Sequence, residues 1–297
     1  MNIKTLIFAL SFLPLSALAC EKPQVVEYDD VNCLLEGLAR VEQDGKYGFI
    51  DKTGEVVIPL QYDFAFDFLD GLASVEQDGK FGFIDKTGRL IIPFQYDDAW
   101  NFSEGLARVG QNGKNGFIDK TNQLIIPLQY DNTGSFSEGL ASVEQDGKYG
   151  FIDKTGRLII PFQYDNTRDF SEGLAGVAQN TKWGYINKIG EVVIPFQYDY
   201  IGEFSEGLAG VAQNTKWGYI NKIGEVVIPF QYDYIGEFSE GLAGVAQNTK
   251  WGYINKIGEV VIPFQYDWAW DFKNNKAPVF LNYEIFYIDH LGNRIDQ

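Results

Sequence analysis

Histidine is nearly absent from this sequence. One imidazole, His290, among 297 residues excludes a histidine-based triad or a multi-histidine metal site over almost the whole chain. Cysteine is scarce too, with only Cys20 and Cys33. Basic residues are the minority charge: 24 Lys and Arg stand against 41 Asp and Glu, a formal net charge of −17. Such a surface repels phosphate backbones and anionic bilayers, so nucleic acid is not an expected partner. There is no G-x-G-x-x-G phosphate loop, EF-hand loop or glycine-rich calcium nonapeptide, and neither a cofactor nor a metal is expected. Past the N-terminus no apolar run approaches the ~20 residues needed to span a bilayer.

What is present begins with an export signal. Lys4, an apolar stretch over 6–15 and Ala17-Leu18-Ala19 have the order of a signal peptide over residues 1–19, which starts the mature chain at Cys20 and places it in the periplasm or outside the cell. Cys20 then has two readings. A disulfide to Cys33 would close a short N-terminal loop, whereas lipidation of Cys20 would anchor the chain to a membrane. Ala17 stands where a lipoprotein signal usually has leucine, which favours the disulfide.

The dominant feature is a repeat of 34 residues. Gly37, Gly71, Gly105 and four further glycines recur at that spacing up to Gly241, as do Pro59, Pro93, Pro127 and four further prolines up to Pro263. Residues 171–204 are identical to 205–238. A partial repeat and cap is expected over 20–36, seven full repeats over 37–274, and a degenerate capping repeat over 275–297, since a stacked array must shield its end faces.

Within a unit the hydrophobic period is two. In the first, residues 38–43 read as a strand, Asp44-Gly45 as a two-residue hairpin turn, 46–51 as the return strand, Lys52-Thr53-Gly54 as a second turn, and 55–60 as a third strand ending at Pro59. Residues 61–70 read as a link that tucks Phe68 inward. Gly48, recurring at every step, weakens a strand unless another backbone comes close, so tight packing is expected there. The fold class is therefore all-β: three-stranded β-meander repeats stacked as an elongated, twisted array. A seven-bladed β-propeller is the alternative, with 34 residues short for a blade.

Lys182-Trp183-Gly184-Tyr185-Ile186-Asn187, then Val192-Val193-Ile194-Pro195 and Gln197-Tyr198-Asp199, strongly resemble the bacterial WG repeat, also called the KWG repeat. The resemblance covers about 27–297, and the early units replace the tryptophan by Tyr47, Phe81, Asn115 and Tyr149. It implies an exported protein with a binding role and adds little about mechanism.

Catalysis is not expected, because equivalent repeats place their carboxylates in equivalent environments, whereas an acid and a base need unlike ones. The recurring aspartates (Asp63 to Asp267) and glutamates (Glu104 to Glu240) are expected to bond turn N–H groups, and His290 to be solvated in a turn. The aromatic positions Tyr47, Phe81, Tyr149, Trp183, Trp217 and Trp251 are expected to form a ladder between units and, where exposed, to be the binding residues. The expected function is a noncatalytic, monomeric scaffold that binds protein, peptide or glycan at the cell envelope or outside the cell. Two alternatives are an envelope enzyme using carboxylates near 267–271 or Asp289-His290, and a purely structural spacer.

Overall fold

A computed structural model describes residue 23 and residues 28–295. The signal segment 1–19 and Cys20 lie outside the described residues. Cys33 is disulfide-bonded, and Cys20 is the only other cysteine in the sequence.

The described residues form eight four-stranded antiparallel sheets and no helix. Each sheet uses consecutive strands in chain order, as in the sixth: Tyr200–Ser205, Leu208–Gln213, Lys216–Asn221 and Val226–Tyr232. Three of these are the strands read from every repeat. The fourth member comes from the supposed link, whose residues pair as the first strand of the next sheet, so each sheet straddles a repeat boundary. The N-terminal segment contributes Asp30–Val31 to the first sheet, and the C-terminal segment completes the eighth.

The turns follow their residue types. Asp44 and Gly45 have φ of 53° and 72°, and Asp70 and Gly71 have 56° and 83°, the paired positive angles that match a tight hairpin to strand twist. Gly54, at φ 88°, closes the second turn.

The proline does not end its strand. Val226–Tyr232 runs through Pro229, because this is the outermost strand and its missing N–H falls in a bulge. Between Trp217↔Tyr232 and Tyr219↔Ile228 the register shifts, and the extra backbone folds over Gly218. A Cβ on Gly218 would lie 2.5 Å from the Ile228 carbonyl oxygen. The recurring glycine and the recurring proline are thus two sides of one bulge.

Neighbouring sheets cover each other's apolar faces. Leu208, Tyr219, Ile228 and Tyr232 of the sixth sheet pack with Phe238, Ala243, Val245 and Ile254 of the seventh segment. The Tyr219 and Phe238 rings meet edge to face at 4.8 Å, an arrangement contributing about 0.5–1.5 kcal/mol beyond the area buried. Hydrogen bonds and ion pairs tie successive sheets together, as Ser205 does with the Phe238 carbonyl and Lys256 with Glu206. At the first sheet, Ala39, Val41 and Ile50 pack with Tyr28, Val31, Leu34 and Leu60 of the same segment. No helix among the described residues is long and apolar enough to cross a membrane.

Candidate functional site

The repeated carboxylates are engaged by the scaffold. At one rim, Asp199 accepts from Lys182 Nζ at 2.5 Å through one oxygen and from the Asn214 backbone N–H at 3.0 Å through the other. Asp233 and Asp267 repeat this with Lys216 and Lys250 and with the N–H groups of Asn248 and Asn282. The lysine, then the turn N–H, holds each carboxyl below the usual aspartate range. At the opposite rim, Glu206 accepts from the Gly241 N–H at 3.0 Å and pairs with Lys256 at 2.9 Å. His290 takes the place of that lysine in the last segment: it lies 3.2 Å from Glu240 and stacks on Phe272 at 4.4 Å. It is therefore packed and paired, rather than merely solvated. No cluster of three or more metal-ligating side chains occurs among the described residues.

The rim carrying Asp199 holds a groove of about 950 Å³ across the sixth, seventh and eighth sheets. It is built from a cross-strand row. Tyr200 lies opposite Ala212, and Ala212 opposite Trp217, so the two rings meet over a methyl group, with centroids 6.3 Å apart and planes 26° from parallel. Tyr234, Ala246 and Trp251 repeat the arrangement at 6.5 Å and 17°. Trp268 of the eighth sheet continues it, 4.8 Å from Trp251. Tyr200 and Tyr234 are each 64% exposed and Trp268 46%.

Earlier sheets carry a different row. Phe64, Glu76 and Phe81 stand in the second, and Asn132, Glu144 and Tyr149 in the fourth. Wherever the middle residue is glutamate the third is Tyr or Phe, and wherever it is alanine the third is Trp. A glutamate there would occupy the space above the strand and bring charge to it, which the larger indole replaces with apolar surface.

The hairpin turn bordering the row changes as well. Gly45, Gly79, Gly113 and Gly147 give way to Thr181, Thr215 and Thr249, at φ 66–67°. A β-branched residue is a genuine outlier in the left-handed region, and such strain concentrates at functional sites. Thr215 and Thr249 both line the groove.

Of the six residues expected from sequence, the structure brings Trp217 and Trp251 into this groove. Trp183 is half-buried beneath the Arg168 guanidinium, 5.8 Å from its ring centroid. Tyr47 packs on Phe64 at 5.4 Å, and Phe81 lies 6.5 Å from the same ring. Tyr149 is half-buried in the fourth sheet. Sequence reading missed Tyr200, Tyr234 and Trp268. Their signal was the residue after each Gln-Tyr-Asp, which is aromatic in the last three units, after Phe64 in the first and Asp98, Asn132 and Asn166 in the next three.

A second set of side chains lies on or just after the first strands of the last four sheets, where Asp169, Glu203, Glu237 and Asp271 succeed one another at the repeat spacing. Asp169 and Glu203 are half-buried, and Glu237 and Asp271 are exposed. Burial, followed by the charges of Asp169 and Glu237, raises the Glu203 carboxyl above the ordinary range despite Arg168.

The family described as "WG containing repeat" matches this chain eight times, over residues 26–47, 47–81, 81–114, 116–149, 149–183, 183–217, 217–251 and 251–283. No curated protein matches it. Among solved structures, a eukaryotic initiation factor is similar in fold, with TM-score 0.66 and 13% identity over 93% of this chain and 89% of that one. Dihydro-heme d1 dehydrogenase NirN in complex with DHE is similar at TM-score 0.52 and 12% identity, over 97% of this chain and 75% of that one. At these identities the likeness is one of fold, and it is propeller-like: the eight sheets correspond to blades.

Proposed function

This chain belongs to the WG-containing-repeat family, and from that premise we propose that it is a noncatalytic binding scaffold whose ligand lies in the aromatic groove over the sixth to eighth sheets. The observation that carries the reading is the joint change of four positions on one rim. Relative to the fourth sheet, the sixth has Ala212 for Glu144, Thr215 for Gly147, Trp217 for Tyr149 and Tyr200 for Asn132. None of these is needed to fold a sheet, since the fourth sheet folds without them, and one of them strains the turn. Together they open a groove of a size usual for small ligands.

The same reading accounts for the engaged carboxylates: each repeated aspartate from Asp63 to Asp267 already bonds a lysine and a turn N–H, which argues against its serving as acid, base or nucleophile. Protein, peptide and glycan ligands all fit a scaffold of this kind. The signal-like residues 1–19 support a periplasmic or extracellular setting, and nearest-neighbour stacking supports a monomer.

The test replaces the groove with a row this chain already uses. Ala212→Glu, Asn214→Asp, Thr215→Gly and Trp217→Tyr, with the equivalent four changes at Ala246, Asn248, Thr249 and Trp251, write the fourth-sheet hairpin 144–149 into the sixth and seventh sheets and leave Tyr200 and Tyr234 in place. The expected result is a protein that folds normally and no longer retains the ligand captured by the parent. Undiminished capture by the variant would refute the assignment of the groove.

A further inference from the structure

The chemistry of the groove narrows the ligand class, an inference that rests on the binding reading above. Every charged group on its wall already has a partner: Asp199 with Lys182, Asp233 with Lys216, and Asp267 with Lys250. The second oxygen of each aspartate is occupied by a backbone N–H. An ionic ligand would only exchange one exposed ion pair for another, which returns little net binding energy.

The polar groups left uncommitted are all neutral. The hydroxyls of Tyr200, Tyr234, Thr215 and Thr249 have no hydrogen-bond partner among the described residues, and the same holds for the Trp217, Trp251 and Trp268 indole N–H groups. The remaining surface is ring faces above Ala212 and Ala246. Ala212, Trp217, Ala246 and Trp251 stand on inner strands of their sheets, so most of the groove offers side-chain faces rather than a backbone edge for a peptide to extend. The volume is that of a small or oligomeric ligand, and a protein surface would need a broader patch.

A ligand matching this set presents apolar faces to rings, hydroxyl edges to hydroxyls and indole N–H groups, and no charge. We infer that the groove binds a neutral oligosaccharide, its sugar rings stacked on the Tyr200–Trp217 and Tyr234–Trp251 pairs and on Trp268.

The experiment titrates the mature protein with neutral linear hexasaccharides (glucose polymers of α and β linkage, and the N-acetylglucosamine polymer), with a proline-rich decapeptide and polylysine as the other arms, following indole fluorescence and calorimetric heat. The expected result is saturable binding of at least one sugar, unchanged when salt rises roughly tenfold because no charge pairing contributes. Binding should weaken by roughly tenfold or more in Trp251→Ala, and equally in the fourth-sheet replacement, which guards against misfolding of the single variant. Binding of the peptide or of polylysine without any sugar would overturn the sugar assignment and leave the groove as a binding site. Silence from all the probes would overturn the sugar assignment and count against the binding reading too. Sugar binding that survives in both variants would place the sugar elsewhere and overturn the inference.

Discussion

Tyr200 and Trp217 stack across the methyl group of Ala212, two strands apart on one sheet, with centroids 6.3 Å apart and planes 26° from parallel. The contact exists because Ala212 is small. In the second sheet the rings at the same two positions, Phe64 and Phe81, flank Glu76 and meet edge on. Ala212→Glu alone should therefore tilt the Tyr200 and Trp217 rings from stacked toward edge-on, and the expected readout is a changed indole emission. The cost in stability should be about 1–3 kcal/mol, because a charged side chain enters a packed position.

Thr215 and Thr249 hold φ of 67° where four earlier turns use glycine. Left-handed backbone at a β-branched residue costs about 1–2 kcal/mol, partly offset by the greater chain entropy glycine would lose on folding. Thr215→Gly should raise stability by about 1 kcal/mol in urea unfolding while weakening retention of the groove ligand. A loss of stability would mean that the threonine is not strained.

Gly218 sits under the bulged fourth strand, and an added Cβ would meet the Ile228 oxygen at 2.5 Å and the Pro229 carbonyl carbon at 2.9 Å. These are backbone atoms and cannot swing aside. Gly218→Ala should cost about 2–4 kcal/mol by the logic of overpacking, measurable as a lower midpoint in denaturant. Gly207→Ala, in open space but at φ 86°, should cost less.

Two sets of carboxylates give opposite pH trends. The rim carboxyls Asp199, Asp233 and Asp267 are held low by lysine and turn N–H, so their contribution is present above about pH 4 and is lost as pH falls through their lowered folded values. Glu203 is the reverse. Its raised folded value favours folding at low pH, and that contribution disappears as pH rises through it, leaving a charge at neutral pH that burial and Asp169 oppose. Glu203→Gln should thus raise the melting temperature at pH 7 and change nothing below about pH 4, where the parent is also uncharged. Asp233→Asn should flatten the acid limb of the stability curve. Thermal melts over a pH series decide both.

The fold was legible because its signals are local and repeated seven times over: Asp44-Gly45 needs two positive φ angles, Gly54 needs one, and alternation between them can only be strand. The additional strand was not, since Phe64 and Ala65 make too short a segment to show a period, and only pairing with Glu76 and Val75 defines it. Gly48 announced a close approach, and the structure identifies its partner as the backbone beside Pro59. The groove was half legible. Trp217 and Trp251 stood out as the named residues of the repeat, but Tyr200 and Tyr234 lie 17 residues away and come beside them only through cross-strand pairing over alanine.

The strongest contacts between sheets run between neighbours, and the unit 205–238 repeats 171–204 residue for residue. Deleting 205–238 joins Phe204 to Ser239, a junction identical to the native Phe238–Ser239. Every surviving pair of sheets then keeps its native partner residues, including the Ser-to-Phe carbonyl bond that links Ser205 to Phe238 at 2.7 Å in the parent and would link Ser171 to Phe204 as before. The shortened protein should fold with a lowered melting temperature, because it sheds one repeat and one interface while the remaining blade-like sheets keep their native partners. Its groove would lack one stacked pair, so a ligand spanning the groove should bind several-fold more weakly. Collapse of folding on deletion would show instead that the first and eighth sheets depend on a fixed number of units between them.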